Sequence, residues 1–116
     1  MCGIAGILSA DPQQRSAIKR MTGALDHRGP DDQGYYHNGK IALGQTRLSI
    51  IDLQTGHQPI NNEDDTLVLV CNGEIYNSPV LRKALVEKGH RFRTRTDVEV
   101  ILHLYEEHGD DCVKHL

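Results

Sequence analysis

The sequence predicts an α+β fold in which most strands are antiparallel. Strand-like and helix-like segments are mixed along the chain, with about six short strands and three full helices. The middle helices do not alternate with strands as regular βαβ units require, which disfavours a parallel sheet. The 116 residues fit one domain, 1–116, and a hydrophobic content of 38% allows a core, although a lean one.

The first predicted elements are a strand and a helix. Apolar residues at 4–8 indicate a short buried strand. Asp11-Pro12 is typical of a helix start, with Asp11 as the N-cap and the proline in the first turn. An amphipathic helix over 13–25 follows from apolar residues at helical spacing. Its expected buried stripe is Ile18, Met21 and Leu25.

A polar loop and a hairpin come next. Residues 26–34 hold two glycines, a proline, an arginine and three acids, which is an oddly charged composition for a mere linker. Asn38-Gly39 lies between strand-like segments at 35–37 and 40–46 and predicts a hairpin with a type I′ turn. The apolar residues that follow would continue the sheet and leave Arg47 at a strand end.

The middle of the chain predicts a long polar loop at 54–65 and then a strand. Residues 66–71 form a continuous apolar run, as expected of a strand covered on both faces. Asn72-Gly73 follows directly. Local rules make this pair a hairpin turn, but a glycine here also allows a ligand to approach the backbone closely.

Two more helices are predicted, with a short basic strand at 90–94 between them. The first is capped by Asn77 or Ser78, has Pro79 in its first turn, and runs to about Lys88 before Gly89. The second begins at a capping box, with Thr96 as N-cap and Glu99 at N3, and ends near Gly109. Its expected apolar stripe is Val98, Ile101, Leu102 and Tyr105.

The end of the chain and one acid near it have further consequences. Asp97 falls in the first turn of the last full helix, where the helix dipole favours an ionised carboxylate. Asp110-Asp111 resembles the N-cap of another helix, but the chain stops at Leu116, little more than one turn later. So short a helix is unstable alone, and we therefore expect the domain to be C-terminally incomplete.

Composition disfavours several classes of function. The net charge of −3 argues against a broad nucleic-acid interface, and neither a membrane span nor a signal peptide is evident. An odd number of cysteines without CxxC spacing favours reduced thiols in the cytoplasm and disfavours a redox module. His103 and His108 are five residues apart, which does not place them on one helical face, so we see no zinc signature.

Cys2 is the first candidate functional residue. A cysteine beside the initiator methionine gains little as a buried hydrophobe, since termini are usually exposed. If Met1 is removed, one Cα carries both a thiol and a free α-amine. The amine, partly unprotonated near neutral pH, can then act as the base for its own nucleophile. An accidental cysteine at this position is the simpler interpretation of these residues alone.

Four further residues complete a hypothetical site around that thiol. The Asn72 amide and the Gly73 N–H are suited to stabilising an oxyanion, and one such donor is typically worth about 3–4 kcal/mol in the transition state. The guanidinium of Arg47 matches the carboxylate of an amino-acid substrate, and Asp97 its ammonium. A simple turn, a surface charge and a helix-stabilising acid are the respective alternatives, and each alone is more common.

Five sequence blocks together resemble a known family. In order they resemble the N-terminal glutaminase domain of glutamine-hydrolysing asparagine synthetases, a class II glutamine amidotransferase of the N-terminal-nucleophile (Ntn) hydrolase type. The resemblance covers essentially the whole chain. The blocks are Met1-Cys2-Gly3-Ile4-Ala5-Gly6-Ile7, His27-Arg28-Gly29-Pro30-Asp31, Arg47-Leu48-Ser49-Ile50-Ile51-Asp52, Asn72-Gly73-Glu74-Ile75-Tyr76-Asn77 and Thr96-Asp97-Val98-Glu99-Val100.

The resemblance implies a fold and a role for each site residue. The fold would be two antiparallel sheets stacked between helices (αββα), with Asn72-Gly73 inside a strand region. Cys2 would be the nucleophile, and Asn72 and Gly73 the oxyanion hole. Arg47 would bind the glutamine carboxylate, Asp97 and Glu74 would surround its amino end, and Arg28 would order the loop near the nucleophile. Leu48, Ser49, Ile50 and Ile51 would line the site through backbone contacts.

The resemblance also implies partners. L-glutamine would be hydrolysed without a cofactor or metal in this domain. Ammonia would pass to a synthetase domain or partner chain that uses ATP and magnesium to amidate aspartate. Alternatives are an inactive fragment or glutamine-binding remnant, and an amidotransferase for a different acceptor carboxylate. The sequence leaves the oligomeric state open, including a homo-oligomer, and implies no nucleic-acid or membrane partner.

Overall fold

The chain folds into two small antiparallel sheets and three α-helices, as seen in a computed structural model that describes residues 1–48 and 56–116. The predicted mixture of helices and antiparallel strands is confirmed, with five strands rather than six in the described residues. The strands are β1 Gly3–Leu8, β2 Asp32–His37, β3 Ile41–Arg47, β4 Ile60–Asn61 and β5 Val68–Leu69. The helices are α1 Gln14–Ala24, α2 Ser78–Glu87 and α3 Val100–His108, with 3-10 turns at Asp26–Arg28 and Gly109–His115.

The larger sheet has the order β1-β3-β2, so the central strand is β3 and both neighbours are antiparallel to it. One face packs against α1 so closely that a Cβ on Gly44 would lie 2.0 Å from the Thr22 hydroxyl. The other face is open along β1, with Ile4 49% and Leu8 83% exposed, whereas its β2 side packs against Gln58. The strand predicted at 4–8 is therefore present, but the expectation that it is buried is wrong.

Helix α1 confirms the predicted location and corrects its details. The N-cap is Gln13 rather than Asp11, whose carboxylate instead accepts a 2.8 Å hydrogen bond from the Gln13 N–H just before the helix. Met21 is 43% exposed, and Thr22 occupies the buried position beside Ile18. The close approach of α1 to Gly44 explains the difference, because it leaves room for a threonine but not for a longer side chain.

The hairpin of β2 and β3 is confirmed, but it begins earlier and turns differently than predicted. Strand β2 starts at Asp32, inside the predicted polar loop. Gly39 has a φ of 88°, while Asn38 is not in the left-handed region, so the turn is not type I′, which needs positive φ at both central residues. The Asn38 side chain accepts hydrogen bonds from the Lys40 and Ile41 N–H groups and holds the turn closed.

The second sheet is shorter than the sequence predicts. Strand β4 lies within the predicted loop at 54–65, of which Gln54 and Thr55 are outside the described residues. Strand β5 covers only two residues of the predicted 66–71 and is half-buried rather than covered on both faces. Residues 90–94 form no strand. A strand forms only where its backbone has a partner to pair with. In the described structure β4 and β5 pair with each other, whereas residues 90–94 have no partner strand.

The two later helices differ in how well local signals predict them. Helix α2 has its N-cap at Asn77 and ends before Gly89, whose φ is 105°, as predicted. Helix α3 starts at Val100, so the predicted capping box is wrong. The buried carboxylate of Glu99 instead accepts the backbone N–H groups of Arg93 and Thr94, each at 2.7 Å. Because these N–H groups have no strand to pair with, they need another acceptor.

The core lies between α2, α3 and the smaller sheet. Within the predicted stripe of α3, Val98 and Leu102 are buried and Tyr105 is 44% exposed. The predicted helix at Asp110-Asp111 is instead the closing 3-10 turn. None of the helices in the described residues has the length and apolarity that crossing a membrane requires. The two apolar clusters are Leu85, Val100, Leu104 and Cys112, and Ile60, Val98 and Leu102.

Candidate active site

A cavity of about 340 Å³ lies where the start of β1 meets the end of β3. Ligand pockets typically begin at about 300 Å³, so its size suits an amino acid. Most of the predicted site residues meet in its wall. They are Cys2, Arg47, Leu48, Asn72, Gly73, Glu74 and Asp97. Ser49, Ile50 and Ile51, also predicted to line the site, lie outside the described residues.

Cys2 is held at the pocket wall by three contacts on neighbouring atoms. The Leu48 N–H points at the Cys2 sulfur at 3.3 Å. The Gly3 N–H donates to the Thr46 hydroxyl at 3.1 Å, which fixes β1 to β3 beside the thiol. The Arg28 guanidinium donates to the Cys2 carbonyl at 3.2 Å. The resemblance implied that Arg28 orders the loop near the nucleophile. In the structure it contacts the segment that carries the thiol itself.

Arg47 is the last residue of β3 and is only 4% exposed. Its backbone is packed against the loop at Gly29, where a Cβ would lie 2.5 Å from the Arg47 carbonyl carbon. The Asp31 N–H donates to the Arg47 carbonyl oxygen at 3.0 Å. The polar loop that looked oddly charged in the sequence therefore has a positional role, since it fixes the end of the strand that presents Arg47 to the pocket.

Asn72-Gly73-Glu74 is irregular backbone at the rim. It is neither the hairpin turn of the local rules nor the strand region that the resemblance implied. Both expectations fail because β5 ends at Leu69, so the backbone has no partner strand here. A Cβ on Gly73 would meet nothing closer than the Cys71 sulfur at 3.7 Å. The rim is open at this point, which fits the interpretation that a ligand can approach the backbone.

Asp97 lies three residues before α3 begins, not in its first turn as predicted. Its carboxylate is held by the Ile75 N–H at 2.6 Å, which ties the segment after Asn72-Gly73 to the approach to α3. The position of Asp97 therefore depends on this hydrogen bond rather than on the helix dipole.

Sequence reasoning missed several pocket residues. Gln58 is 8% exposed, and its side-chain oxygen accepts the Cys71 N–H at 2.7 Å, which fixes one wall of the cavity. Thr96 is 4% exposed and lines the same cavity. A glutamine in a polar loop and a threonine assigned to a cap carry no signal that would place them here. Met1, Gly56, Cys71, Tyr76 and Val98 complete the lining.

The pocket's second thiol, Cys71, has a different acidity from that of a solvent-exposed cysteine. Burial raises the pKa of Cys71, and the nearby Asp97 and Cys2 raise it further. A thiol with a raised pKa stays protonated near neutral pH and is a poor nucleophile. Cys71 is thus suited to lining the cavity rather than to covalent chemistry.

Alkylation should show this directly. At neutral pH, iodoacetamide should modify Cys71 more slowly than a free thiol such as glutathione, because only the thiolate reacts. Its rate should keep increasing at alkaline pH after that of glutathione has levelled off, since the pKa is raised. Mass mapping of the labelled peptide gives the rate, and Cys71→Ser shows which adduct belongs to this residue. A plateau at or below the pH of the glutathione plateau would contradict the assignment.

Comparison with known proteins decides the family. A family model described as a glutamine amidotransferase domain matches residues 1–116, the whole chain. The chain belongs to the glutamine amidotransferase family.

Curated relatives within this amidotransferase family have similar sequences. Glutamine-hydrolysing asparagine synthetase 1 of Arabidopsis thaliana is 51% identical over 116 residues, which cover 97% of this chain and 20% of the relative. Asparagine synthetase 1 of Bacillus subtilis is 40% identical over 121 residues, covering 100% and 19% respectively. The chain thus spans about a fifth of the length of these relatives, and it matches their glutamine amidotransferase part.

Proposed function

We propose that the chain is the glutaminase part of an amidotransferase that hydrolyses L-glutamine to glutamate and ammonia through a Cys2 thioester. The observation that carries this proposal is one cavity lined by Cys2, Asn72-Gly73, Arg47 and Asp97. These groups correspond to the needs of one reaction: a nucleophile, donors for an oxyanion, and charges for both ends of an amino acid.

Substrate binding uses charge at the two ends of the α-amino-acid head. The Arg47 guanidinium, fixed at the end of β3, pairs with the glutamine α-carboxylate. Asp97, held by the Ile75 N–H, and the rim residue Glu74 bind the ammonium group. The side-chain amide of glutamine then extends towards Cys2. The backbone at Leu48 lines this part of the cavity, together with Ser49, Ile50 and Ile51 as the resemblance implies.

Catalysis begins after Met1 is removed, which frees the Cys2 α-amine. The amine takes the thiol proton, and the thiolate attacks the amide carbon to form a C–S bond. Asn72 and the Gly73 N–H stabilise the resulting oxyanion. The protonated amine returns its proton to the leaving nitrogen, and ammonia departs as the C–N bond breaks. Water then attacks the thioester, the amine accepts its proton, and glutamate leaves as the thiol is restored.

The wider context rests on the relatives. Ammonia would pass to a synthetase domain outside this chain, where ATP and magnesium activate aspartate as the default acceptor. A related carboxylate is the alternative acceptor. The glutaminase reaction itself requires no metal or cofactor. The three free cysteines support the cytoplasmic location expected from the sequence. The two small antiparallel sheets support an Ntn-hydrolase fold, of which residues 1–116 form the N-terminal part.

Intact mass and active-site labelling of one sample test the proposal. We expect loss of Met1, then one adduct of 6-diazo-5-oxo-norleucine on Cys2, formed as the diazo carbon takes up the thiol proton and the thiolate then displaces dinitrogen. Excess glutamine should block the adduct. Arg47→Lys should slow labelling strongly at low reagent concentration, because the bidentate carboxylate contact is lost. Processed, folded protein that forms no adduct on Cys2 would refute the glutaminase and favour a glutamine-binding remnant.

A further inference from the structure

A second group of ionisable side chains lies apart from the pocket and shares no residue with it. It joins the β4–β5 connection, the segment after α2, and α3. The four potential ligand atoms lie within 4.8 Å of one another. The group is Glu63, His90, His103 and Glu106. Sequence spacing along α3 gave no sign of it, because the ligands come from three segments.

The two imidazoles direct the same ring nitrogen at the same two carboxylates. Nδ1 of His103 lies 2.9 Å from Glu106 Oε2 and 3.0 Å from Glu63 Oε2. Nδ1 of His90 lies 3.2 Å from Glu63 Oε1 and 3.4 Å from Glu106 Oε2. A tetrahedral zinc with ligands at roughly 2.0–2.1 Å separates them by about 3.3 Å. The four nitrogen–oxygen separations, between 2.9 and 3.4 Å, lie near this value, and Glu63 faces the two histidines through its two different oxygens.

The opposite ring nitrogens face further carboxylates. Nε2 of His90 lies 3.0 Å from Glu107 Oε1, and Nε2 of His103 lies 3.7 Å from Glu99 Oε1. Metal-binding histidines in proteins usually donate their second N–H to a carboxylate or carbonyl, which fixes the tautomer and makes the ligand more basic. His90 therefore has the outer partner that a metal ligand needs, whereas Glu99 lies too far from His103 Nε2 for a hydrogen bond.

Hydrogen bonding alone does not account for the cluster. His103 is fully buried, yet its Nε2 has no hydrogen-bond partner among the described residues, and neither does the buried Glu63 Oε2. The 3.0 Å approach of Glu63 Oε2 to His103 is thus close without being aligned for an N–H donor.

We propose that Glu63, His90, His103 and Glu106 bind one divalent transition-metal ion of the zinc class. Imidazole ligands favour zinc and its neighbours over magnesium or calcium, which prefer oxygen. Four protein ligands leave no open position, as in structural sites. The ion would cross-link the β4–β5 connection and the segment after α2 to α3. It would be independent of glutamine hydrolysis, since it shares no residue with the pocket.

Cobalt and zinc titrations of the untagged, chelator-treated chain test this proposal. We expect one Co²⁺ per chain, with the intense visible absorption of a tetrahedral site, and its displacement by Zn²⁺. Glu63→Gln/Glu106→Gln should weaken binding by at least about 100-fold, since it removes two anionic ligands while keeping side-chain shape. These side chains are 21% and 23% exposed, so the double variant should fold, and circular dichroism verifies that it does.

Two further variants distinguish a built site from adventitious binding. Glu107→Gln should weaken binding about 10-fold, since it alters the outer partner of His90 and leaves the four ligands in place; it also removes the ion pair with Lys88 at the surface. The matched control is His108→Gln/His115→Gln, which removes a stacked pair of exposed histidines with ring centroids 4.1 Å apart and should leave affinity unchanged. Failure of the folded wild type to bind either ion would overturn the proposal, as would loss of binding in the control or its retention in Glu63→Gln/Glu106→Gln.

Discussion

Replacing Cys2 with alanine should reduce glutamine hydrolysis by about 10⁴-fold or more. Removing a catalytic nucleophile eliminates the covalent route rather than weakening it, and losses of this size or larger follow in other nucleophilic enzymes. Release of glutamate and ammonia by the processed chain is the measurement. Cys2→Ala loses the Leu48 N–H contact to the sulfur but keeps the hydrogen bonds from Gly3 to Thr46 and from Arg28 to the residue 2 carbonyl, so the surrounding backbone should stay in place.

Two controls separate lost chemistry from a lost pocket. Cys2→Ala should bind glutamine in calorimetry about as tightly as the parent, because Arg47 and Asp97 are retained. Cys112→Ala removes a different thiol, buried in the apolar cluster of α2 and α3, and should leave turnover unchanged at a modest cost in stability. Substantial turnover by Cys2→Ala would contradict the assignment of the nucleophile.

Gly34→Ala should be the most damaging small substitution in the described fold. A Cβ on Gly34 would lie 1.6 Å from the carbonyl oxygen of Gln58 and 2.7 Å from its carbonyl carbon. Neither atom belongs to a flexible side chain, so backbone must move. Overpacking usually costs about 1–3 kcal/mol, and a backbone clash this severe should cost about 3 kcal/mol or more in the free energy of unfolding. Urea denaturation measures the loss.

The matched control has the opposite sign. Gly23 lies in α1 with no atom within 4 Å of an added Cβ, so Gly23→Ala should stabilise the chain by about 0.5–1 kcal/mol. Gly34→Ala should also weaken glutamine binding, because it displaces Gln58, whose side chain holds the Cys71 N–H at the pocket wall. Equal stabilities for the two variants would show that the contact of β2 with Gln58 is not close in solution.

Local signals predicted the elements whose causes are local. The turn position of the hairpin and the bounds of α2 were predicted correctly, although β2 begins earlier and the turn is not type I′, because an Asn-Gly pair and a proline followed by a terminal glycine act within a few residues. The capping box had the right residue types and failed. Glu99 serves the Arg93 and Thr94 N–H groups instead, and that need arises only because 90–94 has no partner strand.

The candidate site shows the same division. The chemistry of the side chains was enough to propose Cys2, Arg47, Asn72-Gly73 and Asp97 as site residues. Only the family resemblance indicated that they meet in one site. No spacing rule could show that Gln58 supports the pocket, since its contact with Cys71 crosses 13 residues of chain. The histidine–glutamate cluster was missed for a similar reason. Within α3, sequence spacing relates His103 only to His108. The fold instead places His103 beside His90 and Glu63, which are distant in the sequence.

The strand order also determines when the pocket can form. Strands β2 and β3 are joined by three residues, and such hairpins close in about 1–10 μs. Strand β1 pairs with β3 across 43 residues at Gly3 and Thr46, so its docking carries a larger loop-closure cost and comes later. Until β1 docks, Cys2 lies on an unpaired segment, so we expect the proposed reactive centre to form only once β1 has paired with β3.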